Sequence, residues 1–210
     1  FRKVAATWHN ETLRFIVGLM LVIFSVYLLL AFSSFFFTGA ADQSKIENIP
    51  VSDLVANRGT VENWTGVRGA YLSDLLMNRW FGVSSFMILF FLGSLGAKLM
   101  SLTQVPLFRR FLFSAATLIW GSIFFAFVFI SGYEDTFIYL GGQHGYYISE
   151  ILVANIGIPG TILLLLGTLL IIAVFMSKQA IPLLQKVFSF GWAKRRLARE
   201  KRAVEAGPME

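Results

Sequence analysis

Two histidines, twelve carboxylates and no cysteine are the material for chemistry in this 210-residue sequence. Without a thiol there is no cysteine nucleophile and no thiolate metal site. His9 and His144 fall on opposite sides of the membrane in the topology derived below, so they cannot share a metal. His144 stands in Gly141-Gly142-Gln143-His144-Gly145, where a lone loop histidine reads as a solvated turn residue. No Gly-rich loop runs into Lys-Ser or Lys-Thr, which excludes a phosphate cradle of the P-loop type. Asp74 and Glu150 occupy matched places in an internal repeat but lack a histidine or metal partner. They read as groups that cap or orient helices. Asn10-Glu11-Thr12 and Asn63-Trp64-Thr65 fit a glycosylation acceptor pattern, a triplet common by chance. No catalytic, cofactor-binding or metal-ligating residue is assigned in this chain.

The elements that hold these residues are dictated by composition. Hydrophobic residues make up 56% of the chain and charged ones 14%, with a mean hydropathy of +0.69. An ordinary soluble domain carries about 25% charged residues, and polar groups this sparse cannot cover a water-facing surface. A soluble enzyme, a disordered region and a disulfide-stapled secreted module are thereby excluded. A bilayer core about 30 Å thick needs roughly 20 mostly apolar residues per spanning helix. Such runs fall at about 15–38, 81–102, 111–133 and 158–177, separated by long loops at 39–80 and 134–157 on one side. The expected fold is all-α: four transmembrane helices in one domain over 1–180, then a basic amphipathic segment over 181–210 where a linker starts. The break Gly39-Ala40-Ala41-Asp42 is expected to end the first span, and Pro159 to sit in the first turn of the fourth. A short loop helix is expected near Ser52 to Ala56.

Charge orients these spans. Arg2, Lys3 and Arg14 precede the first, and Lys98, Arg109 and Arg110 lie between the second and third. Lys178, Lys186, Lys194, Arg195, Arg196, Arg199, Lys201 and Arg202 follow the fourth. Only Lys45, Arg58, Arg68 and Arg79 fall on the other side, together with eight of the twelve carboxylates. The net +6 is therefore +10 on one face and −4 on the other. Retention of Lys and Arg in the cytoplasm puts both termini inside.

The span interiors contain no ionisable residue, which argues against a pump or an ion-coupled carrier. Gly66, Gly69, Tyr71, Leu72, Ser73, Asp74, Leu75 and Leu76 recur 76 residues later as Gly142, Gly145, Tyr147, Ile148, Ser149, Glu150, Ile151 and Leu152. Apart from chance likeness between apolar segments, this is a parallel repeat: span, outer loop, Gly-rich turn, interfacial helix, span. Gly93 with Ala97, Ser122 with Ala126, and Gly160 with Gly167 are small residues that let helices approach, within the bundle or between subunits. Trp120 lies inside the third span and reads as packing. Ile181, Leu184, Phe188 and Trp192 share one face of a basic tail helix. Its Lys194, Arg195, Arg196 and Arg199 suit anionic inner-leaflet lipid better than nucleic acid.

Taken in order, several stretches resemble a known family. They are Tyr27-Leu28-Leu29-Leu30-Ala31-Phe32, Phe35-Phe36-Phe37-Thr38-Gly39-Ala40-Ala41-Asp42-Gln43-Ser44 and Asn63-Trp64-Thr65-Gly66-Val67-Arg68-Gly69-Ala70-Tyr71-Leu72-Ser73. Arg79-Trp80-Phe81-Gly82-Val83-Ser84-Ser85-Phe86 and Phe137-Ile138-Tyr139-Leu140-Gly141-Gly142-Gln143-His144-Gly145-Tyr146-Tyr147 complete the set. Over about residues 12 to 180 the chain resembles the N-terminal four-helix membrane region of FtsK/SpoIIIE DNA translocases of the Bacteroidetes type. The resemblance implies anchoring at the division septum of the bacterial inner membrane, a homo-oligomer (a hexamer), and contacts with other division proteins. It also implies an ATP- and Mg-dependent motor that moves double-stranded DNA and couples chromosome segregation to division. No Walker motif is present in these 210 residues, so the motor, its cofactors and its DNA contacts are placed on no residue of this chain. A small polytopic transporter or channel subunit, or a membrane enzyme acting on lipids, are the competing readings.

Overall fold

A computed structural model describes residues 10–46, 61–129, 137–177 and 179–188. Every regular element among them is helical: α1 (Glu11–Ile46), α2 (Gly66–Ser73), a π-helical segment (Asp74–Phe81), a 3-10 segment (Gly82–Ser85), α3 (Phe86–Leu99), α4 (Leu107–Val128), α5 (Gly142–Met176) and α6 (Ala180–Phe188). Among the described residues four helical stretches are long and apolar enough to cross a membrane. The chain divides into two compact units, Phe1–Thr168 and Leu169–Glu210.

In the first unit α3 packs against α1 on one side and α4 on the other. The core is aromatic and aliphatic, with Leu28, Ala31, Phe32 and Phe35 from α1, Met77 from the π-helical segment and Leu89 from α3. Phe86 meets Phe32 edge-on, their rings 5.4 Å apart. α1 and α3 cross where both lack a side chain. A Cβ on Gly18 would lie 2.7 Å from the Gly96 carbonyl, and one on Gly96 would lie 2.6 Å from that of Gly18. This reciprocal small-residue contact, made at positions the sequence does not single out by spacing, is the close approach that membrane helices use where lipid gives no hydrophobic drive. At the same end Arg14 donates to Ser101 Oγ at 3.4 Å, Lys98 to the Val105 carbonyl and Arg110 to Ser94 Oγ. Three cations of the charge-rich side thus share one end of the bundle.

Two features differ from expectation. α1 does not stop at Gly39 but runs unbroken to Ile46. Its last turns are wanted as a scaffold, since Asp42, fully buried, holds the following loop. The second span is not one regular helix: its path is π-helical, then 3-10, and α-helical only from Phe86. The helical path of α5 is interrupted at Gly157, where φ is 69° and ψ 172°, two residues before the Pro159 expected in the first turn of the fourth span.

In the second unit α6 follows the last turns of α5, and Ile181 and Leu183 are exposed on it. The short helix expected near Ser52 to Ala56, the side chain of Phe188, and Trp192 with Lys194, Arg195, Arg196 and Arg199 all lie outside the described residues.

Candidate functional site: a buried polar clamp and two interlocked turns

The end of the bundle opposite Arg14 buries a set of polar side chains engaged in hydrogen bonds. Asp42 accepts the backbone N–H of Glu62 (2.6 Å) and of Asn63 (2.9 Å). Asn63, 5% exposed, donates its amide to the Ala31 carbonyl and accepts from the N–H and hydroxyl of Thr65. The Trp64 N–H donates to Ser34 Oγ, and Tyr27 donates to the Thr65 carbonyl at 3.2 Å. The Asn63-Trp64-Thr65 triplet is therefore a clamp that fastens the loop to α1. Its amide is buried and engaged, which a glycosylation acceptor cannot be. Asn10 of the other triplet caps α1, accepting from the Thr12 and Leu13 N–H groups.

A second polar group centres on Asp74, 3% exposed. Its carboxylate accepts from Asn78 Nδ2 at 3.0 Å and from Arg79 Nε at 2.9 Å. Asn78 also donates to the Phe137 carbonyl and accepts from the Tyr139 N–H. It therefore ties the second loop to the first half of the chain. The π-helical winding explains why Arg79 can reach. In an α-helix the fifth residue on lies well round the cylinder, whereas a π turn, bonding i to i+5, brings it into line. Glu150, the matched residue of the other half, is exposed. The expected equivalence of Asp74 and Glu150 therefore fails in structure: one organises a buried network, the other faces outward.

The repeat itself is written in the backbone. The described glycines with left-handed φ are Gly66, Gly82, Gly142 and Gly157. They open α2 and α5 and break each half's helical path before its second span. The first interval is one residue longer than the second, and the π-helical segment accommodates the extra residue. Ser73 and Ser149 are both fully buried and bond back to carbonyls of their own helix, Gly69 and Tyr146. Between the halves Val83 N–H donates to the Leu140 carbonyl at 2.9 Å. A Cβ on Gly82 would lie 1.9 Å from that carbonyl oxygen, and one on Gly142 2.2 Å from the Trp80 oxygen. Ser122 donates to the Gly141 carbonyl and contacts His144 Nδ1 at 3.2 Å. His144 is thus a half-buried packing partner, its ring 5.0 Å from that of Phe81, and not a solvated turn residue. Among the described residues no three His, Asp or Glu side chains converge to hold a metal.

Trp120 donates to the Leu165 carbonyl and stacks on Phe124, the packing role its position suggests. Ser122 and Ala126 seat the Gly141 turn within the bundle, while Gly167 has nothing within 4 Å of its missing side chain.

A family model for the 4TM region of DNA translocase FtsK/SpoIIIE matches residues 10–188. The chain belongs to this family. Comparison with curated proteins and with solved structures returns no match. In this FtsK/SpoIIIE membrane region the matched residues take in both polar clusters, the four positive-φ glycines and all four apolar helices.

Proposed function

We propose that this chain is the membrane anchor and assembly domain of a septal DNA translocase that couples chromosome segregation to cell division. On this reading both termini are cytoplasmic, and the ATP-driven motor with its Mg and its DNA contacts lies outside these residues. The chain itself performs no catalysis and binds no cofactor. Its partners are the bilayer, anionic inner-leaflet lipids through Lys194, Arg195, Arg196 and Arg199, further copies of itself, and division proteins. The observation that carries this reading is the family match over 10–188 on a chain with four apolar helices. Buried Asp42, Asn63, Asp74 and Asn78 support it, because their partners are backbone and neighbouring side chains, as in a scaffold. The test is a fluorescent fusion of the chain, expressed in bacteria that divide by a septum. Enrichment at midcell is expected, and an even distribution round the membrane would refute the septal role. Since the chain has no cysteine, single cysteines at Gln143 and Gln179 report topology directly: the first is expected to be labelled from outside and the second only after permeabilisation.

A further inference from the structure

The contact between the two halves is head-to-tail, and it leaves an unused copy of each of its two surfaces. Gly82 breaks the helical path of the first half, whereas Gly142 opens the interfacial helix of the second. They are not equivalent positions. The equivalent of Gly142 is Gly66, and the equivalent of Gly82 is Gly157. At Gly66 a Cβ would meet nothing within 4 Å, and at Gly157 only Pro159 of the same chain, at 3.7 Å. The pair used internally is filled by backbone at 1.9 and 2.2 Å, and the pair left over is open.

The spans repeat this imbalance. The internal junction sets the second span of one half against the first span of the next, α3 against α4, with Ser84 Oγ where Gly121 lacks a side chain. The outstanding surfaces are then the second span of the second half, α5, and the first span of the first half, α1. In α5 only 11% of the most apolar stretch is buried, against 22% for α1 and 28% for the second and third spans. Ile156, Ile158 and Ile162 are exposed there, and on α1 Phe37 is exposed at 79%, stacked on Trp64.

We infer that copies of this chain associate head-to-tail by repeating the internal junction between molecules. The Gly157 break of one copy seats on the Gly66 turn of the next, and Ile158 N–H donates to the Trp64 carbonyl as Val83 does to Leu140. A contact between two different surfaces, unlike a self-complementary one, can propagate and closes into a ring when the rotation permits. This deepens the assembly role proposed above by naming its surface and its partner, a second copy.

The cysteine-free chain makes the test direct. The full chain carrying Trp64→Cys is co-expressed with one carrying Ile158→Cys, and membranes are treated with a mild oxidant. Val83→Cys with Leu140→Cys in a single chain is the reference, since it reports the internal junction and the fold. Crosslinked mixed dimers are expected, with a ladder of higher species when both substitutions share one chain. Efficiency is expected within about threefold of the reference, as equivalent geometry requires. A reference that crosslinks beside a Trp64–Ile158 pair that does not would overturn the inference, as would Ile158→Cys chains linking only to each other. Either failure leaves midcell enrichment of the fusion untouched, so it is separable from failure of the proposed function.

Discussion

Replacing Asp42 by Ala removes the one acceptor on which two backbone donors of the first loop depend. The side chain is fully buried, with Glu62 N–H at 2.6 Å and Asn63 N–H at 2.9 Å. A buried donor stranded by loss of its partner costs about 1–3 kcal/mol, and bonds to a charged group lie at the upper end. Asn63 is itself buried, so water cannot replace the carboxylate there, whereas Glu62 is exposed enough to be partly rehydrated. The combined loss is therefore about 3 kcal/mol. Asp42→Asn is nearly isosteric yet sets an NH2 against one of the two donors, so it is expected to recover less than half of that loss. The assay is reversible unfolding of helicity in mixed detergent micelles of rising SDS fraction. Hydrogen exchange then localises the damage to amides 62–65. An Asp42→Ala protein within about 0.5 kcal/mol of the original, the range of ordinary surface changes, would refute the view of this loop as a clamp.

Asn78→Ala is expected to cost about 2 kcal/mol through loss of its bonds to Asp74, Phe137 and Tyr139. Asn78→Asp is expected to cost more in the same micelle titration, because it sets a second carboxylate beside Asp74. Gly82→Ala should exceed the about 1–3 kcal/mol of backbone strain at φ 67° and ψ −149° alone, since the Leu140 carbonyl oxygen stands 1.9 Å from the new Cβ. Gly167→Ala, with open space around it, should be neutral or stabilise by up to about 1 kcal/mol. Equal effects of the two glycine changes would undo the distinction between a filled turn and an open helix face.

What was legible in the sequence is what hydrophobicity and glycine can write. Four apolar runs became four spans, the interruption at Gly157 stands just before the Pro159 expected to open the fourth, and the repeat proved to be a repeat of backbone conformation. Polar burial was not legible. Asp42 and Asn63 look like loop residues in sequence, and Asp74 and Asn78 like polar positions of an interfacial helix; a carboxylate or amide in either place gives no sign of which distant backbone group it will meet. The continuation of α1 past Gly39 was hidden for the same reason: Gly-Ala-Ala-Asp is a poor helix by propensity, and tertiary hydrogen bonding through Asp42 outweighs that preference. The Gly18–Gly96 crossing escaped notice because a pairing between two helices leaves no periodicity within either. The one polar hint available, the Asn63-Trp64-Thr65 triplet, pointed to the right residues for the wrong chemistry.

The π-helical segment makes this part of the chain sensitive to length before composition. A residue deleted between Met77 and Phe81 would let the segment relax to ordinary α-helix. Deleting Trp80, for example, leaves Asp74 and Arg79 five residues apart, and in an ordinary α-helix that spacing sets their side chains about 140° apart, so the bond opens although both residues remain. No conservative replacement reproduces that change, and no compensating substitution at either partner repairs it. Frame-preserving insertions and deletions are therefore the informative genetic variation at this site, and a survey of point mutants alone would pass over the property on which the segment depends.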